Sequence, residues 1–183
     1  MIKDFPRLET ERTILVEIKE DCSKDLFEIY GNDEVMKYMQ SKTLVKLDDM
    51  KEKIRNWQEM FRTGKGYRWA IKLKDSGKII GTIALHYWDF KNSRIELGAD
   101  INPFYQGRGL ASEVTKKVIA YGFENLKVHR MELRCDPRNI ASIKIAEKLG
   151  FVFEGTLRDY VYIEGKGFLD ESVYSFLRDK YVL

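Results

Sequence analysis

The chain has little of what membrane, secreted or metal-bound proteins need. No run approaches the roughly 18 apolar residues that a spanning helix requires. The opening MIKDFPRLETER carries no apolar signal-peptide core, so the expectation is a cytoplasmic protein with no membrane partner. Only two cysteines, Cys22 and Cys135, and two histidines, His86 and His129, are present, far apart and without metal-ligand spacing. No metal is expected, and both cysteines read as packing residues. The 32 basic residues are scattered among 29 acidic ones for a net charge of +3, so no basic stripe marks a nucleic-acid partner. Internal repeats, low-complexity segments and linkers are also missing. No Ser-His-Asp or Cys-His constellation stands out, so catalysis through a covalent enzyme intermediate is not indicated.

With 183 residues, 44% of them hydrophobic, the chain reads as one domain over 1–183 with room for a real core. The pattern TILVEI predicts a first strand over 13–18. Helices are expected over 24–30, capped from Asp21 to Ser23, and from Asp48 or Asp49 to about Arg62, with a short segment over 34–40 between them. Strands over 67–73 and 78–88 flank the turn Lys74-Asp75-Ser76-Gly77, and Gly81 marks a bulge or a close backbone neighbour. A strand over 94–101, a helix ending near Asn125 and a strand over 129–135 imply a parallel crossover. A helix through Leu149, closed by Gly150, and two strands over 152–163 and 168–177 finish the chain. The fold class is therefore α/β: a mixed, mostly antiparallel twisted central sheet flanked by about four helices.

One stretch carries the most chemistry. After the strand ending at Ile101, Asn102-Pro103 stops the ladder, and Gln106-Gly107-Arg108-Gly109 leads into a helix whose Leu110, Val114, Val118 and Tyr121 share one face. A glycine turn feeding a helix start leaves backbone N–H groups free beside the positive end of the helix dipole, an anion site suited to phosphate. A nucleotide P-loop needs Gly-Lys-Ser/Thr here, but Gly109 is followed by Leu110-Ala111. A dinucleotide fingerprint would need a third glycine where Ser112 stands, and its strand would open a βαβ repeat.

Gln106-Gly107-Arg108-Gly109-Leu110-Ala111 instead resembles the Q/R-x-x-G-x-G/A signature of the GNAT N-acetyltransferase superfamily. Asn139-Ile140-Ala141-Ser142 and Lys148-Leu149-Gly150-Phe151 are similar to the second half of that pattern. Glu154 to Arg158, Gly165-Lys166, Asp170 and Tyr174-Ser175 resemble the C-terminal hairpin of one subgroup. That subgroup holds the ribosomal-protein N-terminal acetyltransferases and the spermidine and antibiotic acetyltransferases. The resemblance runs from Pro6 to Arg178.

The resemblance implies acetyl-coenzyme A as co-substrate, its pyrophosphate on backbone amides from Gln106 through Gly107, Arg108, Gly109 and Leu110 to Ala111. Ile101 and Asn139 would contact the pantetheine arm, although Asn139 also fits a plain N-cap. Many relatives place a tyrosine acid where this chain has Ala146, which leaves Ser142 as the substitute proton donor. A backbone N–H near Ala99 to Ile101 would meet the oxyanion, and Glu96, on the same strand face as Gly98 and Asp100, is the candidate base. The acceptor is a primary amine, a protein N-terminus or a small amine. A non-catalytic acyl-CoA sensor is the reading from another class. A homodimer is also expected, since C-terminal strands in this superfamily often mediate pairing.

Overall fold

In the computed structural model, which describes residues 4–181, the first five strands form an antiparallel meander. They are β1 (Leu8–Glu9), β2 (Thr13–Glu17), β3 (Tyr67–Leu73), β4 (Ile79–Asp89) and β5 (Arg94–Ile101). Between β2 and β3 lie helices α1 (Ser23–Tyr30), α2 (Asp33–Met36) and α3 (Leu47–Arg62). Helix α4 (Leu110–Glu124) carries the chain from β5 to β6 (Arg130–Cys135), which pairs parallel to β5 as expected. Helix α5 (Ile140–Lys148) then leads into the antiparallel hairpin of β7 (Val152–Ile163) and β8 (Gly167–Leu177). Strand β8 inserts beside β6, so the eight-stranded sheet runs β1-β2-β3-β4-β5-β6-β8-β7 and leaves β7 as an edge.

Where about four helices were expected, the described residues form five, because Asn32 caps an additional turn by accepting from the Glu34 N–H at 3.0 Å. The expected cap at Asp21 to Ser23 is not made. A 3-10 turn over Glu20–Cys22 runs directly into α1, and no side chain caps it. Asp49 acts from inside α3, its carboxylate accepting from the Lys46 N–H at 3.0 Å, as an acidic residue in a first turn does well.

Alternation divides the core. Trp69 and Ile71 face one apolar layer with Val114 and Val118 of α4, while Ala70 faces the other with Leu26, Met50 and Ile54 of α1 and α3. Each fully buried aliphatic contributes about 1.5–3 kcal/mol through the water it excludes. Gly81 sits at the bulge where β3 pairing slips between Ile71 and Lys72. A methyl group there would meet the Asp100 carbonyl at 2.1 Å, so β4 and β5 approach this closely only because residue 81 is glycine.

Candidate active site

Strands β5 and β6 part company partway along. They pair from Arg94 opposite Arg130 to Leu97 opposite Leu133, and no further, although β5 continues to Ile101 and β6 to Cys135. A notch therefore opens beside residues 98–101. The Asn102 N–H donates to Ile80 on the β4 side, so backbone alternation turns the N–H groups of Ala99 and Ile101 toward the notch. The Ile101 side chain is buried in the core, and its carbonyl accepts from Gln106 Nε2 at 3.0 Å. With its side chain and carbonyl both engaged, the Ile101 N–H is the group left facing the notch.

The glycine turn stands at the mouth of this notch. Gly107 and Gly109 hold φ of 73° and 78°, a left-handed conformation that costs L-residues with a Cβ roughly 1–2 kcal/mol. The Gln106 N–H is taken by Pro103 O at 3.1 Å, so the free run begins one residue later than expected. From Gly107 to Ser112 the N–H groups donate to no acceptor among the described residues. Arg12 steadies the turn, donating to the Arg108 carbonyl at 2.9 Å while Nε reaches Glu113 at 2.7 Å. The Arg108 guanidinium lies over the Tyr105 ring at 5.5 Å. A row of free amides, the start of a 15-residue helix and two arginines suit a pyrophosphate.

Across the notch, Asn139 caps α5 by accepting from the Ser142 N–H at 3.2 Å. The Ser142 side chain is half-buried, and Ala146, four residues on, is sealed in the core. Both expected residues therefore stand at the start of α5, immediately after the strand that forms the second wall.

Glu96 occupies the point where the strands separate. Its Oε1 lies 3.6 Å from His86 Nε2, from its cross-strand partner on β4, and its Oε2 lies 3.5 Å from Arg134 Nε on β6. Burial raises the Glu96 carboxyl to about 7; Arg134 opposes this, and Glu171 and Glu132 reinforce it. Arg134 fails to win because its guanidinium is committed elsewhere, to Glu132 at 2.9 Å and Glu171 at 3.0 Å. Burial, with Arg68 nearby, lowers His86 to about 3, so the imidazole is neutral at physiological pH and its contact with Glu96 is not an ion pair. Burial alone would raise Glu132, but hydrogen bonds from Arg130 and Arg134 hold it below the usual range.

The sequence reading assigns no role to His86, Arg134, Glu132 or Glu171. The signal was there in HRMELRC: a central strand with Arg130, Glu132 and Arg134 on one face must find buried partners for them. Tyr160 of β7 completes that wall, its ring 5.8 Å from the Arg134 guanidinium. His129 lies beside the strand start as expected, its N–H on the Ser93 carbonyl at 2.8 Å. Among the described residues no three His, Cys, Asp or Glu side chains are grouped to hold a metal, and no helix is long and apolar enough to cross a membrane.

Comparison with known proteins gives this geometry a setting. Residues 12–152 match the family described as acetyltransferase (GNAT) domain. The uncharacterized N-acetyltransferase YoaA of Bacillus subtilis (strain 168) is 35% identical over 176 residues, 96% of this chain and 99% of that one. The spermidine N(1)-acetyltransferase of Escherichia coli K12 is 36% identical over 90 residues, 49% of this chain and 48% of that one. The structure of the ribosomal-protein-S5-alanine acetyltransferase from Vibrio fischeri superposes with a TM-score of 0.82, covering 97% of this chain and 100% of that one. At 22% identity that likeness speaks for the fold alone.

Proposed function

This chain belongs to the acetyltransferase (GNAT) family and is an acetyl-CoA-dependent N-acetyltransferase, and from that premise we propose that its acceptor is the α-amine of a protein N-terminus, of the ribosomal-protein type, with Glu96 as base. The observation that carries this reading is the Glu96 carboxyl, raised by burial to about 7 at the closed end of the notch, where β5 and β6 separate. Such a base accepts a proton from an α-amine of pKa about 8 at a cost near 1 kcal/mol. A lysine-like amine at about 10.4 would cost nearer 4.6 kcal/mol. The neighbouring carboxylates also favour an acceptor of single charge. Glu132, Glu154 and Glu171 are each hydrogen-bonded to Arg130 or Arg134, which leaves them little capacity for a polycation.

Acetyl-coenzyme A supplies the activated acyl group. The residues fit it: free amides from Gly107 to Ser112 suit the pyrophosphate, with Arg108 beside them, and the notch between Ile101 and Asn139 suits the arm. Glu96 takes the proton from the incoming amine. The N–H groups of Ala99 and Ile101 donate to the carbonyl oxygen as negative charge gathers there. Ser142 passes a proton to the departing sulfur and regains one as the amine nitrogen sheds its second proton to become the amide. The amine nitrogen gains the acyl carbon as the carbon–sulfur bond breaks, so no acyl-enzyme is needed.

Thiol release from acetyl-CoA tests the reading with three acceptors: a peptide with a free alanine N-terminus, the same peptide Nα-blocked but bearing lysine, and spermidine. Turnover of the first well above the others is expected. Preference for spermidine would transfer the assignment to small amines, and cofactor binding without turnover on any of them would favour an acyl-CoA sensor. A thermal shift by coenzyme A and not by NAD is expected from the same turn.

A further inference from the structure

The turn of the β7–β8 hairpin holds a side chain with no part in the chemistry so far. Lys166 Nζ reaches back to the segment after α2, donating to the carbonyls of Met36 at 2.6 Å, Met39 at 2.8 Å and Ser41 at 3.2 Å. An ammonium has three donors, and all three are used. These contacts join parts of the chain some 130 residues apart. The segment between α2 and α3 has few backbone hydrogen bonds of its own, chiefly Met39 N–H to Met36 and Leu44 N–H to Tyr30. Its fixed shape therefore depends on what gathers its carbonyls.

What the segment presents is Gln40. The Gln40 amide donates to Glu171 Oε1, and the other Glu171 oxygen accepts from Arg134 Nη1 at 3.0 Å. Arg134 in turn lies beside Glu96. The neighbouring Lys42–Glu164 pair links the same two segments but lies in solvent, where such pairs contribute little.

We propose that Lys166 is a positioning residue: by gathering three carbonyls it holds residues 36–41 against the hairpin, seats Gln40 on Glu171, and so fixes Arg134 beside Glu96 and closes one side of the acceptor cleft. This rests on the reading of Glu96 as base, and one of its tests needs no acceptor at all. Glu96 is faced by His86 from β4, Arg68 from β3, Arg134 and Glu132 from β6 and Glu171 from β8. Of these, Arg134 is the cation nearest its carboxylate among the described contacts, so letting Arg134 move away from Glu96 moves the Glu96 carboxyl further up.

The experiment uses Lys166→Met and Gln40→Leu in the full chain. Hydrogen exchange is read first, without substrate. Amides 36–44 should exchange about tenfold faster in Lys166→Met, with amides of α4 unchanged. Wild-type protection of 36–44 would overturn the proposal whatever the acceptor. Steady-state kinetics follow, with the alanine-terminated peptide. In both variants the peptide KM should rise about tenfold, the acetyl-CoA KM should stay within about twofold, and the acidic limb of kcat/KM should move to higher pH. A role in stability alone would leave that limb in place. Gln40→Leu keeps the Lys166 contacts, so it decides the outcome should Lys166→Met fail to fold. An unmoved limb and unchanged peptide KM in Gln40→Leu would sink the proposal. If wild type acetylates no amine, the functional reading falls while hydrogen exchange still decides the clamp.

Discussion

At Glu96 burial and a neighbouring cation pull in opposite directions, and burial wins because Arg134 is shared among three carboxylates. Two predictions follow from that balance. Below pH 7, kcat/KM for an α-amine peptide should fall about tenfold per pH unit as Glu96 takes its proton, and Glu96→Gln should lose ~100-fold or more and flatten the profile. Stability should move the other way. The folded carboxyl takes its proton near pH 7 and the unfolded one near 4.5, so between these values the folded state holds more protons. This contribution to stability is present below 4.5 and is lost as pH rises through 7. Glu96→Gln should therefore melt above wild type at pH 8 and level with it at pH 4. At ~1.36 kcal/mol per pH unit the gap bounds the gain at ~3 kcal/mol. A variant that melts lower at pH 8 would refute the burial argument.

Among the elements, the glycine turn and α4 form a unit whose unpaired backbone amides are the proposed cofactor contact. Gly109 is the N-cap of α4 at φ 78°, and a Cβ there would meet only Arg12 Nη2, at an ordinary 3.5 Å. Gly109→Ala should thus leave the fold in place, weaken it by ~1–2 kcal/mol through backbone strain, and loosen acetyl-CoA binding several-fold. Calorimetric titration with coenzyme A reads the second effect, and unchanged affinity would remove the turn from the cofactor site. Gly81→Ala is the contrasting case. Its methyl group collides with the Asp100 carbonyl, so the loss should appear in denaturant unfolding, ~1–3 kcal/mol, with the cofactor untouched except through the β5 wall.

For the whole molecule, the long edge strand is the exposed feature. Strand β7 ends the sheet and shows Val152, Phe153, Tyr160 and Tyr162 to solvent, each more than half exposed. A long apolar edge is a template for pairing with another chain. The homodimer expected for this chain should therefore be visible by light scattering at micromolar concentration, and lysines at 152 and 153 should return it to monomer. A wild-type protein that is monomeric throughout would reject the pairing.

The amino-acid sequence by itself determined whatever depends on neighbours along the chain. The glycine turn, the apolar face of α4, the Asn139 cap and the alternation that puts Glu96 on a polar face are all short-range, set by local sterics and by periods of 2 and 3.6. Even the parallel crossover was legible, because strand–helix–strand leaves few alternatives. Only the tertiary structure decided how the site is charged. His86, Glu96, Arg134 and Glu171 come from four different strands, and the order β4-β5-β6-β8 is what sets them side by side. Nor does any local pattern say that β5 and β6 separate after Leu97, that Lys166 gathers carbonyls of residues 36–41, or that burial lifts the Glu96 carboxyl to about 7. Those are matters of distance through space and of water excluded, and both are properties of the folded sheet.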